Sequence, residues 1–297
     1  MKFGVREICD VVFKAKAKVT IGNTTFEKGQ PVLYIDTAKT SNLEAAATTV
    51  YATGGRGNTR LIAWEGEKTL TFTVEDALLS PMGFAMLSGA GLMKGTGDGS
   101  GDDDKMISVH ATTMAQADDN GAINLTEALD GIEVDTGKPI FVMTTEADGS
   151  LQTFVKETYS YADGVLTPVE GNADAPKNAV VFVDYYTKRY NGAMQFEIDA
   201  ENFAGYYYVE ASTLWRRQDN GKDMPAELIF PNVKIQSNFT FAMAATGDPS
   251  TFTFTMDAMP GYTVYDQKKK VLCAIQVIAD SDTDAASAVD VDSIKNA

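Results

Sequence analysis

Thr53–Leu92 reads TGGRGNTRLIAWEGEKTLTFTVEDALLSPMGFAMLSGAGL. It holds a glycine-rich loop, strand-forming runs and one short helix with a visible start and stop. Thr69–Val74 alternates strictly, with Leu70, Phe72 and Val74 on one face and Thr69, Thr71 and Thr73 on the other. That period of two predicts an antiparallel strand with one face on a core. Ser80 is a good helix N-cap and Pro81 fits the first helical position, where a missing N–H costs nothing. Phe84 and Leu87 then share a face, with Met82 and Met86 nearby, and Gly89 and Gly91 supply the stop.

Upstream, Val11–Ile21 and Pro31–Ile35 read as strands around a turn at Gly22-Asn23. Asp36–Thr53 is rich in Thr and Ala and reads as a long polar connection running into Gly54–Asn58, a length that in compact domains points to function. Downstream of Gly95–Asp104 (GTGDGSGDDD), a flexible acidic linker, short strands are expected at Met106–Thr113, Ile140–Thr145, Leu151–Tyr159 and Val165–Val169. Turn signals at Asn120-Gly121, Asp148-Gly149 and Asp163-Gly164 separate them. Ala179–Tyr186 is strongly strand-forming. Further strands are expected at Gln195–Ala200, Gly205–Leu214, Glu227–Gln236 and Val271–Ala279. Asn238–Ala244 and Thr251–Met256 read as a hairpin through Thr246–Pro249.

Charge divides the chain. Of a net −16, residues 97–180 carry −12 and the last 18 residues carry −4. This step predicts an acidic all-β inserted domain over 95–179, within a discontinuous domain formed by 1–94 and 180–279. Residues 280–297 form an acidic, small-residue tail or arm. The fold class expected is mainly β: a β-sandwich or barrel flanked by one short α-helix, with a small all-β insert.

The same charge argues against binding nucleic acid by phosphate neutralisation. Cys9 and Cys273 fit two buried thiols in a reducing compartment. Met1–Asp10 shows no signal peptide, and no apolar run is long enough for a membrane anchor. The single histidine, His110, leaves no His pair for a metal, and any Ser-His-Asp triad would have to use it; it reads as a surface or structural histidine. Gly54–Gly57 lacks the Lys-Ser/Thr ending of a P-loop, and Gly95–Gly99 is ringed by aspartates that would repel phosphate. Asp118, Asn120 and Glu127 fall at calcium-loop spacing, but Gln116 stands where the first ligand should be Asp; a turn explains the same residues. No enzyme, cofactor or metal site is therefore expected.

The outward strand face is more informative. Thr69, Thr71, Thr73, Asn238, Thr240, Ala242, Thr251, Thr253 and Thr255 carry no charge. Solvated sheet faces and edges usually carry Lys or Glu. Either this is the polar outside of a two-sheet sandwich, or the strands are shared with neighbouring subunits in a sheet that continues around a ring.

Three segments make the chain similar to the major tail tube proteins of tailed bacteriophages. They are RLIAWEGEKTLTFTVEDALLSPMGFAML at 60–87, VVFVDYY at 180–186, and Phe203–Met256. In the last, Gly205-Tyr206-Tyr207 leads to Gly221-Lys222-Asp223-Met224-Pro225, then FPNVKIQSN, then Gly247-Asp248-Pro249-Ser250. The resemblance implies a virion structural protein, assembled in the host cytoplasm, whose homo-hexameric rings stack into a tail tube for DNA ejection. DNA passes through a shared inner barrel without specific binding. Implied partners are the tape measure and baseplate proteins, and a sheath where one is present. An early loop, here Thr40–Asn58, would reach the adjacent ring, with Ser41, Asn42, Leu43, Arg56 and Asn58 as interface residues. Thr69, Thr71, Thr73, Thr240, Thr251, Thr253 and Thr255 would face the lumen or the shared sheet. The acidic insert would lie outside the tube. The competing expectation is a virion decoration or adhesin-like β-protein whose insert binds a receptor or glycan.

Overall fold

The computed structural model describes residues 2–21, 24–89, 91–145, 151–154, 159–169, 175–198, 200–240, 246 and 250–278. The turns expected at Gly22-Asn23 and Asp148-Gly149, the 247–249 corner, Ala242 and the tail 280–297 lie outside these residues. The protein is mainly β, with two helices among the described residues, and the chain divides into two compact units, Met1–Leu92 with Phe196–Ala297, and Met93–Gln195.

The first unit is built on one large open sheet. Its strands run in the order Pro31–Ile35, Asp10–Ala15, Tyr206–Arg217, Asp223–Ile235, Phe252–Ala258, Thr59–Asp76, Ala38–Gly54. Every pairing is antiparallel. Phe3–Val5 and Ala274–Val277 add short pairings to Tyr206–Arg217 and Asp223–Ile235. No closed barrel forms: among the described residues, Pro31–Ile35 and Ala38–Gly54 each keep one side unpaired.

Alternation along these strands builds the core. Val11, Phe13 and Ala15, then Phe72 and Val74, then Phe252, Phe254 and Met256 are all buried on one face. Phe72 stacks on Phe230 with ring centroids 4.9 Å apart. Burying a side chain of this size contributes about 1.5–3 kcal/mol.

The helix Pro81–Ser88 closes this core. Ser80 Oγ accepts the Gly83 N–H at 3.0 Å, as a capping serine should. Ala85, Met86 and Leu87 join the sheet's core, while Phe84 meets Phe196 and Phe239 edge-on. Gly89 ends the helix at φ 70°, and a Cβ there would lie 2.4 Å from the Phe203 carbonyl carbon. Conformation and space both demand glycine.

The second unit has its own core of Ile123, Leu125, Val134, Val142, Leu166, Val181, Val183 and Tyr185. A four-stranded sheet runs in the order Leu151–Phe154, Phe141–Thr145, Val180–Arg189, Ile107–Gln116. A smaller sheet holds Ile123–Asn124, Val165–Pro168 and Tyr159–Ala162. Thr126–Leu129 forms a one-turn helix that the sequence pattern did not predict.

Three expectations need correction. First, Asp36–Thr53 is no loose connection: Ala38–Gly54 is a 17-residue strand paired with Thr59–Asp76. Second, Phe252–Ala258 shows no pairing with Asn238–Thr240, the described part of the expected partner, while 241–245 lie outside the described residues. Its partners are Thr59–Asp76 and Val233–Ile235, and Asn238–Thr240 has no strand structure. Third, the chain does not return to the first unit at residue 180. Val180–Arg189 pairs over its whole length with Ile107–Gln116, because Val181, Val183 and Tyr185 are buried in the second core. The VVFVDYY run is therefore not a strand of the large sheet. The chain leaves at Leu92–Lys94 and returns at Met194–Phe196, and these two strands pair with one another.

Candidate assembly surface

Two surfaces of the first unit stand out, and both derive from the hairpin Ala38–Gly54/Thr59–Asp76. Its turn, Gly54–Thr59, places Gly55, Gly57 and Asn58 at positive φ, which glycine and asparagine tolerate best. Near the sheet the hairpin is ordinary, with Phe72, Val74 and Asp76 buried. Beyond it the hairpin runs on as a two-stranded ribbon. From Glu44 to Tyr51, and from Gly55 to Thr69, every residue is exposed.

The ribbon is not a polar arm. Val50 faces Trp64 and Ala52 faces Ile62 across the strands, so all four lie on one face. Val50 is 63% exposed, Ile62 55% and Trp64 53%. Leu61 is exposed as well, and Arg60 lies over the Tyr51 ring at 4.1 Å from its centroid. An isolated two-stranded ribbon is marginally stable in water. An apolar cross-strand face on such a ribbon marks an interaction surface.

The second surface is the outward face where the hairpin joins the sheet. Register sets three rows across three strands: Thr40–Glu75–Thr253, Asn42–Thr73–Thr255 and Glu44–Thr71–Asp257. This corrects the expectation of a charge-free face, since Glu75, Asp257 and Glu44 occupy it. Two of these carboxylates, Glu75 and Asp257, are tied down by neighbouring side chains. Glu75 accepts from Thr251 Oγ1 at 2.5 Å and from Thr40 Oγ1 at 3.1 Å. Those two bonds, Thr251 first, hold its carboxyl below the usual range. Asp257 accepts from Gln236 Nε2 at 2.9 Å and Thr71 Oγ1 at 3.3 Å. The nearest cation in register is Lys234, opposite Asp257 on the neighbouring strand.

The residues expected at an interface separate. Asn42 is exposed and stands in the middle row, and Arg56 and Asn58 lie exposed at the ribbon turn. Ser41 and Leu43 point the other way: Ser41 Oγ accepts the Cys9 N–H at 2.8 Å, and Leu43 packs against the core. Thr69 lies out on the ribbon, its hydroxyl directed at the Ala46 carbonyl, and Thr240 stands outside any strand. Thr71, Thr73, Thr253 and Thr255 do share one face, with Thr251 at its border. Val50, Leu61, Ile62 and Trp64 escaped the sequence reading. The near-equal runs flanking the GGRGN turn were the signal that could have found them.

The calcium-spaced residues form a turn. Asp118 Oδ1 accepts the N–H groups of Asn120 and Ala122, both at 2.8 Å, while Glu127 sits in the first turn of the short helix. No group of three or more potential metal ligands is gathered among the described residues. His110 Nε2 meets Asp184 Oδ1 at 2.9 Å on an open sheet face. No helix among the described residues is long and apolar enough to cross a membrane.

Comparison with known families gives one finding. The model of the YomU/Tube protein family matches residues 17–272. No curated protein matches the chain significantly.

Proposed function

The chain belongs to the YomU/Tube protein family, and on that premise we propose that it is the subunit of a phage tail tube. Copies assemble into hexameric rings, the rings stack, and the tube conducts DNA at ejection. The observation that carries this reading is the exposed ribbon with its apolar face of Val50, Ala52, Ile62 and Trp64. It leaves the sheet as a preformed strand pair whose apolar face is solvated in the single subunit and is buried on a neighbouring ring.

The threonine and carboxylate rows suit the wall of a conduit. Hydroxyls and acids with few cations let a polyanion pass without holding it. The unpaired sides of Ala38–Gly54 and Pro31–Ile35 suit a sheet continued by neighbouring copies, since an open edge is a template for pairing. The role is structural and non-enzymatic. Tape measure, baseplate and any sheath proteins would be its neighbours in the virion tail.

Electron microscopy of the concentrated protein should show stacked rings. Removal of 47–65, with the stubs joined by a two-residue turn, should leave a folded subunit that forms no tubes. A full-length chain that stays monomeric at every concentration by light scattering sinks the assembly reading. Normal tubes from the deleted chain sink the role given to the ribbon.

A further inference from the structure

A cavity of about 520 Å3 opens between the end of Asp10–Ala15, the Lys28-Gly29 turn, Pro231 and the loop Pro260–Lys270. Its lining includes Lys14, Lys16, Lys28 and Lys270 and no carboxylate, in a protein whose net charge is −16. Lys14 is paired with Glu210. Lys270 lies toward the Tyr262 ring, 5.6 Å from its centroid. Among the described residues, Lys16 and Lys28 have no ion-pair partner, and partial burial pushes the Lys16 ammonium below its ordinary value. Lys16, Lys28 and Lys270 thus line one cavity whose lining holds no carboxylate. Such a group stands at a free-energy disadvantage until an anion joins it.

We propose that this cavity is the docking site of the same chain's acidic C-terminal segment, 280–297. That segment carries Asp280, Asp282, Asp284, Asp290 and Asp292 against a single Lys295. The path is available. Ile278 N–H donates to the Pro225 carbonyl at 2.8 Å, which fixes the point of departure. Pro225 and Pro231 lie on one strand, Asp223–Ile235. Their six-residue separation is about 20 Å at roughly 3.3 Å per residue. The 19 residues beyond Ile278 can extend about 60 Å. About seven of them cover the return, which leaves Asp290 and Asp292 free to enter the cavity. Tethering also sets the order of competitors. A segment on a short flexible linker is present at an effective concentration in the millimolar range, whereas a free polyanion is repelled by the net negative charge. The pairing is electrostatic, so it weakens at high salt.

Zero-length carbodiimide cross-linking of the full chain tests this, with links mapped by mass spectrometry on a mixture of light and 15N-labelled protein. Links from Asp284–Asp292 should fall on Lys16, Lys28 or Lys270, within single chains, and drop several-fold in 0.5 M NaCl. In the Lys16→Glu/Lys28→Glu variant the remaining links to Lys270 should fall at least fivefold. Both residues are exposed, and circular dichroism checks that the fold is kept. Links scattered evenly over the surface lysines overturn the proposal. So do links found only between light and heavy chains, which would make the occupant a second copy, and links to Lys270 that are unchanged in the variant. Each result stands whether or not the protein forms tubes.

Discussion

At the residue scale, the polar rows show how hydroxyls, more than cations, can hold an acid on a sheet face. Glu75 is fixed by Thr251 and Thr40, and its carboxyl is held down by those two hydroxyl bonds. A folded-state value below the ordinary 4.5 has a fixed sign. The contribution is complete above the unfolded-state value and disappears as pH falls through the lower folded value. The thermal midpoint of the wild type should therefore lose ground to Glu75→Gln between pH 5 and about pH 3, measured by circular dichroism. Parallel curves for the two proteins would show that the hydroxyl bonds do not discriminate charge. The helix cap gives a second residue-scale test. Ser80→Ala removes the acceptor for the Gly83 N–H and should cost about 1 kcal/mol, lowering the thermal midpoint by about 2–4 °C. An unchanged midpoint would mean that packing of Phe84, Met86 and Leu87 alone sets the start of the helix.

At the element scale, the ribbon governs behaviour. Trp64 is exposed on it, whereas Trp215 is partly buried, tilted against Phe3 at 5.8 Å. If assembly covers the ribbon, tryptophan emission should shift to the blue as tubes form, and Trp64→Phe should abolish the shift while retaining tubes. A shift that survives the substitution places the buried contact elsewhere. The ribbon also shows what sequence alone can carry. Thr69–Val74 was legible because one face enters the core and the other does not, which imposes strict alternation. Ala38–Gly54 was not, since beyond Glu44 neither of its faces meets the core, so core burial imposes no alternation there. Ala45–Thr53 could thus be read as a connection. The threonine face was legible as a face; its carboxylates stand just past the threonine runs, Glu75 after Thr71 and Thr73 and Asp257 after Thr253 and Thr255 at the same period of two, and only Glu44 is brought there by register, opposite Thr71.

At the scale of the whole molecule, the chain leaves the first unit and comes back to it through one pair of strands. Leu92–Lys94 and Met194–Phe196 are neighbouring strands, so the exit and return lie about 5 Å apart in the pairing direction. Replacing Met93–Gln195 by a short glycine-serine linker should therefore leave a soluble first unit with a cooperative thermal transition of its own. Aggregation of this shortened chain, with the excised unit folding normally, would show that the first core depends on the second. The charge step near residue 97 falls beside the true exit. The return was misplaced because VVFVDYY is apolar enough to serve either core, and only its partners, Ile107–Gln116 and Phe141–Thr145, decide between them.

The open sheet has a further consequence. Its two borders are unlike: Pro31–Ile35 is 5 residues long and begins with a proline, while Ala38–Gly54 is 17 residues long. A border of one kind does not mirror itself across a two-fold axis as readily as it accepts the other kind. Contacts between copies would then run head to tail, and each would add the same rotation. If copies close into a ring as proposed, the number of subunits in it is written in neither border. It is set by the angle that one sheet's twist imposes on the next, so that substitutions altering twist alone, far from any contact, could change how many copies close the circle.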